Sequence, residues 1–261
     1  MRFIQSGLQD AAFYQEMWKS IRETGNWQGE IWNRKKSGEA FLVSATIDRI
    51  NDRDGNPVRY AAIYRDITEV RSKDENIRHL AFHDALTGLP NRVLLHERLG
   101  HAIERAKREH VGIAVMFMDL DRFKVINDSV GHLYGDMMLK ESATRLAGCV
   151  RDTDMVARLG GDEFVALLPR LDHAEDAAAA AQKMLEVLGE PVSIDEHELR
   201  PSVSIGIATY PEDGTTIDIL LKHADTAMYG AKAAGRNNFQ FFVPEMNQRA
   251  NERLQLESAL R

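Results

Sequence analysis

A chain of 261 residues with 44% hydrophobic and 28% charged side chains can bury a sizeable core and has ordinary globular composition. Its formal net charge of -7 argues against a nucleic-acid polymer or an anionic membrane as partner, so any polyanion must be gripped locally. The lone cysteine, Cys149, rules out an intrachain disulfide and fits a buried thiol in a reducing cytoplasm. No apolar run reaches the roughly 18 residues that cross a bilayer, and no signal-peptide core is visible. The expectation is a cytoplasmic segment without membrane contact, although a longer parent protein could be anchored.

Residues 8 to 24 place Phe13, Met17, Trp18 and Ile21 at helical spacing, and Gly25-Asn26 ends that helix. From Trp27 the period changes to two. Strands are predicted over 27–34, 41–50 and 60–65, joined by turns at Lys36-Ser37-Gly38-Glu39 and Asp52-Arg53-Asp54-Gly55-Asn56-Pro57, which makes an antiparallel meander. Trp27, Trp32, Phe41 and Tyr64 read as its core. Residues 69 to 83 are polar except for Val70, Ile77, Leu80 and Ala81, a spacing compatible with a short coiled-coil connector or a plain solvated helix.

In Asp84-Ala85-Leu86-Thr87-Gly88-Leu89-Pro90-Asn91-Arg92, Gly88 and Pro90 punctuate a turn and Asn91 can cap a helix to about Arg108, with Asp84 and Arg92 expected to pair. Val111 to Met118 is a near-continuous apolar run, as a central strand covered on both faces requires. It ends abruptly in Asp119-Leu120-Asp121, where folds of this kind often place a site. Gly131 to Asp136 leads into a helix with Leu139, Ala143, Leu146, Ala147 and Val150 on one face. Beyond the hairpin described next, a helix is expected over 173–188, strands over 190–194 and 201–210, and a helix from Thr215-Thr216 to Ala234 that Gly235 stops.

The hairpin is Arg158-Leu159-Gly160-Gly161-Asp162-Glu163-Phe164 with its apolar flanks, Met155-Val156-Ala157 and Phe164 to Leu168. Paired glycines allow a tight turn with positive φ, which sets Asp162 and Glu163 on its rim. Two carboxylates beside bare backbone suit a phosphate held through a hard divalent metal, but Gly-Gly-Asp also occurs in ordinary hairpins. Asp119 and the later Lys232 and Arg236, spaced i and i+4, make the phosphate reading stronger.

Gly160-Gly161-Asp162-Glu163-Phe164 resembles the signature of the GGDEF domains, the bacterial diguanylate cyclases, as do the stretches Asp84–Arg92 and Arg122-Phe123-Lys124-Val125-Ile126-Asn127-Asp128. The resemblance covers roughly residues 80 to 243. It implies an α+β sandwich of the nucleotide-cyclase or polymerase-palm kind, with a central, mostly antiparallel sheet flanked by helices. Gly29-Glu30-Ile31-Trp32-Asn33 and Arg65-Asp66-Ile67-Thr68-Glu69 resemble the C-terminal half of a PAS domain, a small antiparallel half sheet expected to serve dimerisation or packing. Pro244-Glu245-Met246 and Leu256 to Arg261 resemble the connector to an EAL phosphodiesterase domain. The implied division is a partial PAS domain over 1–68, a helical linker over 69–83, a GGDEF domain over 84–243 and a helical connector over 244–261.

The resemblance further implies condensation of two GTP into cyclic di-GMP. Asp119, the carbonyl of Leu120, Asp162 and Glu163 would hold Mg²⁺ (or Mn²⁺), with Asp162 or Glu163 also acting on the 3′-hydroxyl. Gly160, Gly161, Lys124, Lys232 and Arg236 would meet the phosphates, with Phe123 and His132 beside the nucleotide. Asn127 and Asp136 would read the guanine edge, although for Asn127 alone a capping role is the default. Arg151 and Asp154 match the family's RxxD inhibitory product site, against which stands a simple surface ion pair. One domain presents one GTP, so a homodimer is implied for catalysis. The alternatives are a catalytically silent GTP-binding module that regulates a downstream EAL domain in a longer parent, and a cyclase of a single nucleotide.

Overall fold

The computed structural model describes residues 6–54, 56–171, 173–194 and 197–247, in two compact units, Met1–His79 and Leu80–Arg261. Gly55 of the second predicted turn and the tail with Leu254, Leu256 and Leu260 lie outside the described residues.

In the first unit, helix α1 (Ala11–Thr24) is capped by the Asp10 carboxylate, which accepts from Phe13 N, and ends at Gly25 with φ 86°. Strands β1 (Asn26–Arg34), β2 (Ala40–Asn51) and β3 (Pro57–Asp66) form the predicted antiparallel meander in the order β1-β2-β3. Met17 and Ile21 of α1 bury against Ile31, Val43, Ala45 and Ile47. Of the four aromatics expected in this core, Trp27 and Phe41 pack at its margin, whereas Trp32 and Tyr64 are 37% and 39% exposed. Strand alternation explains the difference for Trp32: with Ile31 and Asn33 inward, the residue between them faces out. Helix α2 (Thr68–Phe82) follows, and the side chain of Ile77, which the coiled-coil spacing needs, lies outside the described residues.

The second unit runs α3 (Arg92–Glu109), β4 (Gly112–Leu120), α4 (Phe123–Val130), α5 (His132–Cys149), β5 (Met155–Gly160), β6 (Glu163–Leu171), α6 (Ala174–Gly189), β7 (Val192–Ile194), β8 (His197–Leu199), β9 (Val203–Tyr210), α7 (Ile217–Ala233) and β10 (Phe239–Phe241). Five strands make one sheet in the order β10-β9-β4-β6-β5, antiparallel except where β10 joins β9. This is the expected α+β architecture.

Central β4 explains its own composition. Ala114, Met116, Met118 and Leu120 face a core shared with α5 and α6, while Ile113, Val115 and Phe117 face one shared with α3 and α7. A strand covered on both sides has no polar face to show. The predicted stripe of α7, from Leu220 to Ala231, is buried throughout. In α5, Met138 is buried in addition, Ala147 is exposed, and Cys149 in the last turn is only half-buried. Burial still pushes the Cys149 thiol up, against the pull of Lys183, which disfavours its reactive thiolate form. Helix α4 and strands β8 and β10 were not anticipated.

Helix α7 lies directly on β9 at Gly206, where a methyl group would fall 2.0 Å from the Ala224 carbonyl oxygen and 2.1 Å from Met228 N. Neither backbone atom can step aside cheaply. Gly206→Ala is expected to cost about 3 kcal/mol, read as a lower urea midpoint at unchanged m-value.

Candidate active site

The sheet brings the acidic residues together. Asp119, at the end of β4, is the cross-strand partner of Glu163, the first residue of β6, and Leu120 N donates to the Asp162 carbonyl at 3.3 Å. Adjacent antiparallel residues have Cα atoms about 5 Å apart, so residues more than forty positions apart along the chain become backbone neighbours. Gly160 and Gly161 turn between β5 and β6 with φ of 145° and 53°, and a methyl group on either would meet nothing within 4 Å. The glycines serve the turn, and the space before them is open.

Lys232, in the last turn of α7, closes the group from the other side, with Nζ 2.7 Å from Asp119 Oδ1. Asp225, two turns earlier on α7, faces the same region and was not singled out from the sequence. Burial raises the pKa of Asp119, Glu163 and Asp225. For Asp119, Lys232 pulls back while Asp162 and Asp121 add repulsion. Glu163 feels Asp225 and Asp162, relieved in part by Arg92 and Lys232. For Asp225, Lys232 again opposes and Asp119 adds.

Carboxylates drawn to one end of the sheet in this way are hard oxygen donors of the kind a divalent metal takes. Among the described residues no three acidic, histidine or cysteine side chains are already gathered as a closed ligand set, and the Lys232 ammonium is the cation that Asp119 meets. The residues fit a divalent ion in chemistry, and Asp119 is a carboxylate already paired with a cation.

The hairpin is fastened from behind. Arg158, 8% exposed, donates from Nε and Nη2 to the Gly161 carbonyl and from Nη1 to Asp84 Oδ1 at 2.7 Å. The expected partner of Asp84 was Arg92. Arg92, however, opens α3 and acts on Glu163, while the hairpin leans Arg158 onto the opening turn, where its N–H also bonds Pro90 O. Burial pushes the Asp84 carboxyl up, but hydrogen bonds from Thr87 and Arg158 outweigh it and hold the group below its usual value.

Asp119 and Asp121 proved to do different things. Asp121 is buried and turned toward β9, where it accepts from Ser202 Oγ (2.8 Å), Ser204 Oγ (2.7 Å) and Asn237 N (3.1 Å). It thus ties down the bend at Arg236 and Asn237, both in the left-handed region with φ of 65° and 48°. Arg236 is held where α7 ends.

Asn127, on α4, sits against Gly135 of α5, with its Oδ1 buried and without a hydrogen-bond partner. Asp136 is the next residue and is exposed, as are Lys124 and His132. Phe123 is buried in the core, its ring beside Gly135. Arg151 and Asp154 share one turn between α5 and β5. There Asp154 Oδ2 accepts from the Arg151 backbone N–H at 3.0 Å and Oδ1 from the Thr153 hydroxyl at 3.3 Å, so the carboxylate is engaged within its own turn.

Because Glu163 titrates above its ordinary range, the folded state binds its proton more tightly than the unfolded chain does. Below the unfolded value both states are protonated and nothing is lost; above the folded value the whole cost is present. Glu163→Gln should therefore raise the melting temperature of the metal-free protein at pH 7.5, and the gain should vanish at pH 4, as followed by thermal denaturation in EDTA.

Residues 81–238 match the family model described as diguanylate cyclase, GGDEF domain, and residues 1–69 match a PAS domain model. The chain is 49% identical over 194 residues to the bifunctional diguanylate cyclase/cyclic di-GMP phosphodiesterase MucR of Pseudomonas aeruginosa, covering 74% of this chain and 28% of that protein. It is 43% identical to the diguanylate cyclase TpbB of the same species, over 65% of this chain and 40% of the relative. The cyclic di-GMP phosphodiesterase PdeR of Escherichia coli is also 43% identical, over 75% and 29% respectively. The chain thus spans well under half the length of these curated relatives.

Among solved structures, the GGDEF domain of TpbB superposes with a TM-score of 0.63 at 40% identity, covering 65% of this chain and 99% of that one. The coiled coil and GGDEF domain of DgcB from Caulobacter crescentus, solved with cyclic di-GMP, gives 0.60 at 27% identity, covering 67% and 93%. On this evidence the chain belongs to the GGDEF family, with a PAS domain ahead of its GGDEF domain.

Proposed function

We propose that this chain is an active diguanylate cyclase that condenses two GTP into cyclic di-GMP and two pyrophosphates. The observation that carries the reading is the pairing of Asp119 with Glu163 across adjacent strands, beside an open glycine turn and a lysine. In each of two steps the 3′-oxygen of one nucleotide bonds to the α-phosphorus of the other as the bond to the bridging oxygen breaks. Pyrophosphate leaves, and the hydroxyl proton passes to a carboxylate, for which Asp162 and Glu163 are the candidates. A bound Mg²⁺ (or Mn²⁺), held by Asp119, the Leu120 carbonyl, Asp162 and Glu163, would polarise the phosphate and acidify the hydroxyl.

The remaining residues bind and orient. Gly160 and Gly161 admit the phosphates to the turn, and Lys232 and Arg236, with Lys124, neutralise them. Phe123 and His132 border the nucleotide. The Asp136 carboxylate accepts from guanine N1–H and N2–H, which adenine cannot offer, and the Asn127 carboxamide completes base recognition. Two copies must face each other for two nucleotides to react, so catalysis needs a homodimer. Arg151 and Asp154 form the product inhibitory site. In a longer parent, an EAL domain could follow.

Purified chain incubated with GTP and Mg²⁺ should yield cyclic di-GMP, identified by mass. GTP binding without product would replace the proposal with a silent regulatory module, and a cyclic mononucleotide would make the chain a one-substrate cyclase. Glu163→Ala should lower the rate by about 100-fold or more with the fold intact, checked by turnover beside circular dichroism. Arg151→Ala should leave the initial rate unchanged while abolishing inhibition by added cyclic di-GMP.

A further inference from the structure

Gly135 is the fourth residue of helix α5, where glycine is less favourable than alanine and nothing in the backbone demands it, since its φ is not positive. Its surroundings supply a reason. A methyl group on Gly135 would lie 1.8 Å from Asn127 Oδ1 and 2.8 Å from Asn127 Cγ, with the Phe123 ring at 3.2 Å. The Asn127 carboxamide therefore occupies the volume that a side chain at position 135 would take.

The same carboxamide carries a second cost. Its oxygen is buried with no hydrogen-bond partner, a state that proteins avoid. Two unfavourable features thus meet at one contact, a helix-interior glycine and an unpaired buried oxygen. Alanine at position 135 would relieve both, because the Asn127 carboxamide can rotate about its χ1 bond away to water and the Phe123 ring need give only a few tenths of an ångström, while the backbone stays in place. A sequence under selection for stability alone has no reason to keep this arrangement.

We infer that Gly135 is a positioning residue: it holds open the seat that fixes the Asn127 carboxamide against α5, and so sets the affinity of the site for the guanine base. The inference rests on the assignment of Asn127 to guanine recognition made above. Gly135 itself makes no bond to the nucleotide and acts through Asn127, with stability given up for a fixed amide.

The test is Gly135→Ala in the full chain, compared with wild type in both thermal stability and nucleotide handling. The expected result is a melting temperature equal to or above that of wild type. GTP affinity, by calorimetry with Ca²⁺ in place of Mg²⁺, should fall roughly tenfold or more, as loss of a base contact predicts. KM for GTP should rise in parallel with little change in kcat, because the carboxylates at the hairpin are untouched. In an Asn127→Ala background the same substitution should raise stability and leave GTP affinity unchanged.

A lower melting temperature with unaltered affinity would overturn the inference and make Gly135 a packing residue. An affinity loss of equal size in the Asn127→Ala background would overturn it too, since the effect would then bypass the amide. If wild type bound no GTP, the guanine-site assignment itself would fall. If wild type binds GTP and Gly135→Ala binds it equally well, only the present inference fails.

Discussion

Everything at this site depends on holding like charges side by side. Asp119 and Glu163 stand opposite one another on neighbouring strands, with Asp162 at the turn and Asp225 on α7, and burial makes Asp119, Glu163 and Asp225 more costly to ionise. Left alone, such a group would push its strands apart or keep its protons. Lys232 offsets part of that repulsion, and the two cores beneath the sheet hold the rest in register. The strain is electrostatic, and the Lys232 ammonium is the cation that the structure sets against it.

Two buried fasteners, Arg158 and Asp121, keep the arrangement from relaxing. Arg158 bonds the carbonyl of Gly161 and the Asp84 carboxylate, so the open turn is bolted to the segment that leads into α3. That segment is itself stitched to the end of α2, where Asn91 bonds Phe82 O through its N–H and Ala81 O through its side chain. Asp121 does the same for the bend at Arg236. Both are nearly buried charged groups whose bonds are satisfied, the condition under which burial of charge stabilises a unique geometry.

The second unit was largely legible in the sequence because its signals are strong. The apolar run of β4, the glycine turn and the stripe of α7 each follow from a period or a steric need that tertiary structure did not override. What escaped has physical reasons. Helix α4 has eight residues and an N-cap, Arg122, that makes no side-chain hydrogen bond, so it starts without a signal. Strands β8 and β10 have three residues each, too few to display alternation. The partner of Asp84 was misassigned because nearness in sequence suggested Arg92, whereas the true partner is 74 residues away. Asp225 and the separate duties of Asp119 and Asp121 are matters of which way a side chain points. Period cannot supply that between elements of different kinds.

The short strand β10 has a practical consequence. It is the outer strand of the sheet and pairs with β9 from Phe239 to Phe241. Phe242 then donates to Ile207 O and stacks on His223 at 3.8 Å. The arginine bend at 236 and 237 is thus anchored on its downstream side by only a few residues of sheet edge. A piece of this protein excised for study must therefore run past Phe242, because a cut a few residues earlier would spare the acidic hairpin yet release the segment that holds Arg236 in place.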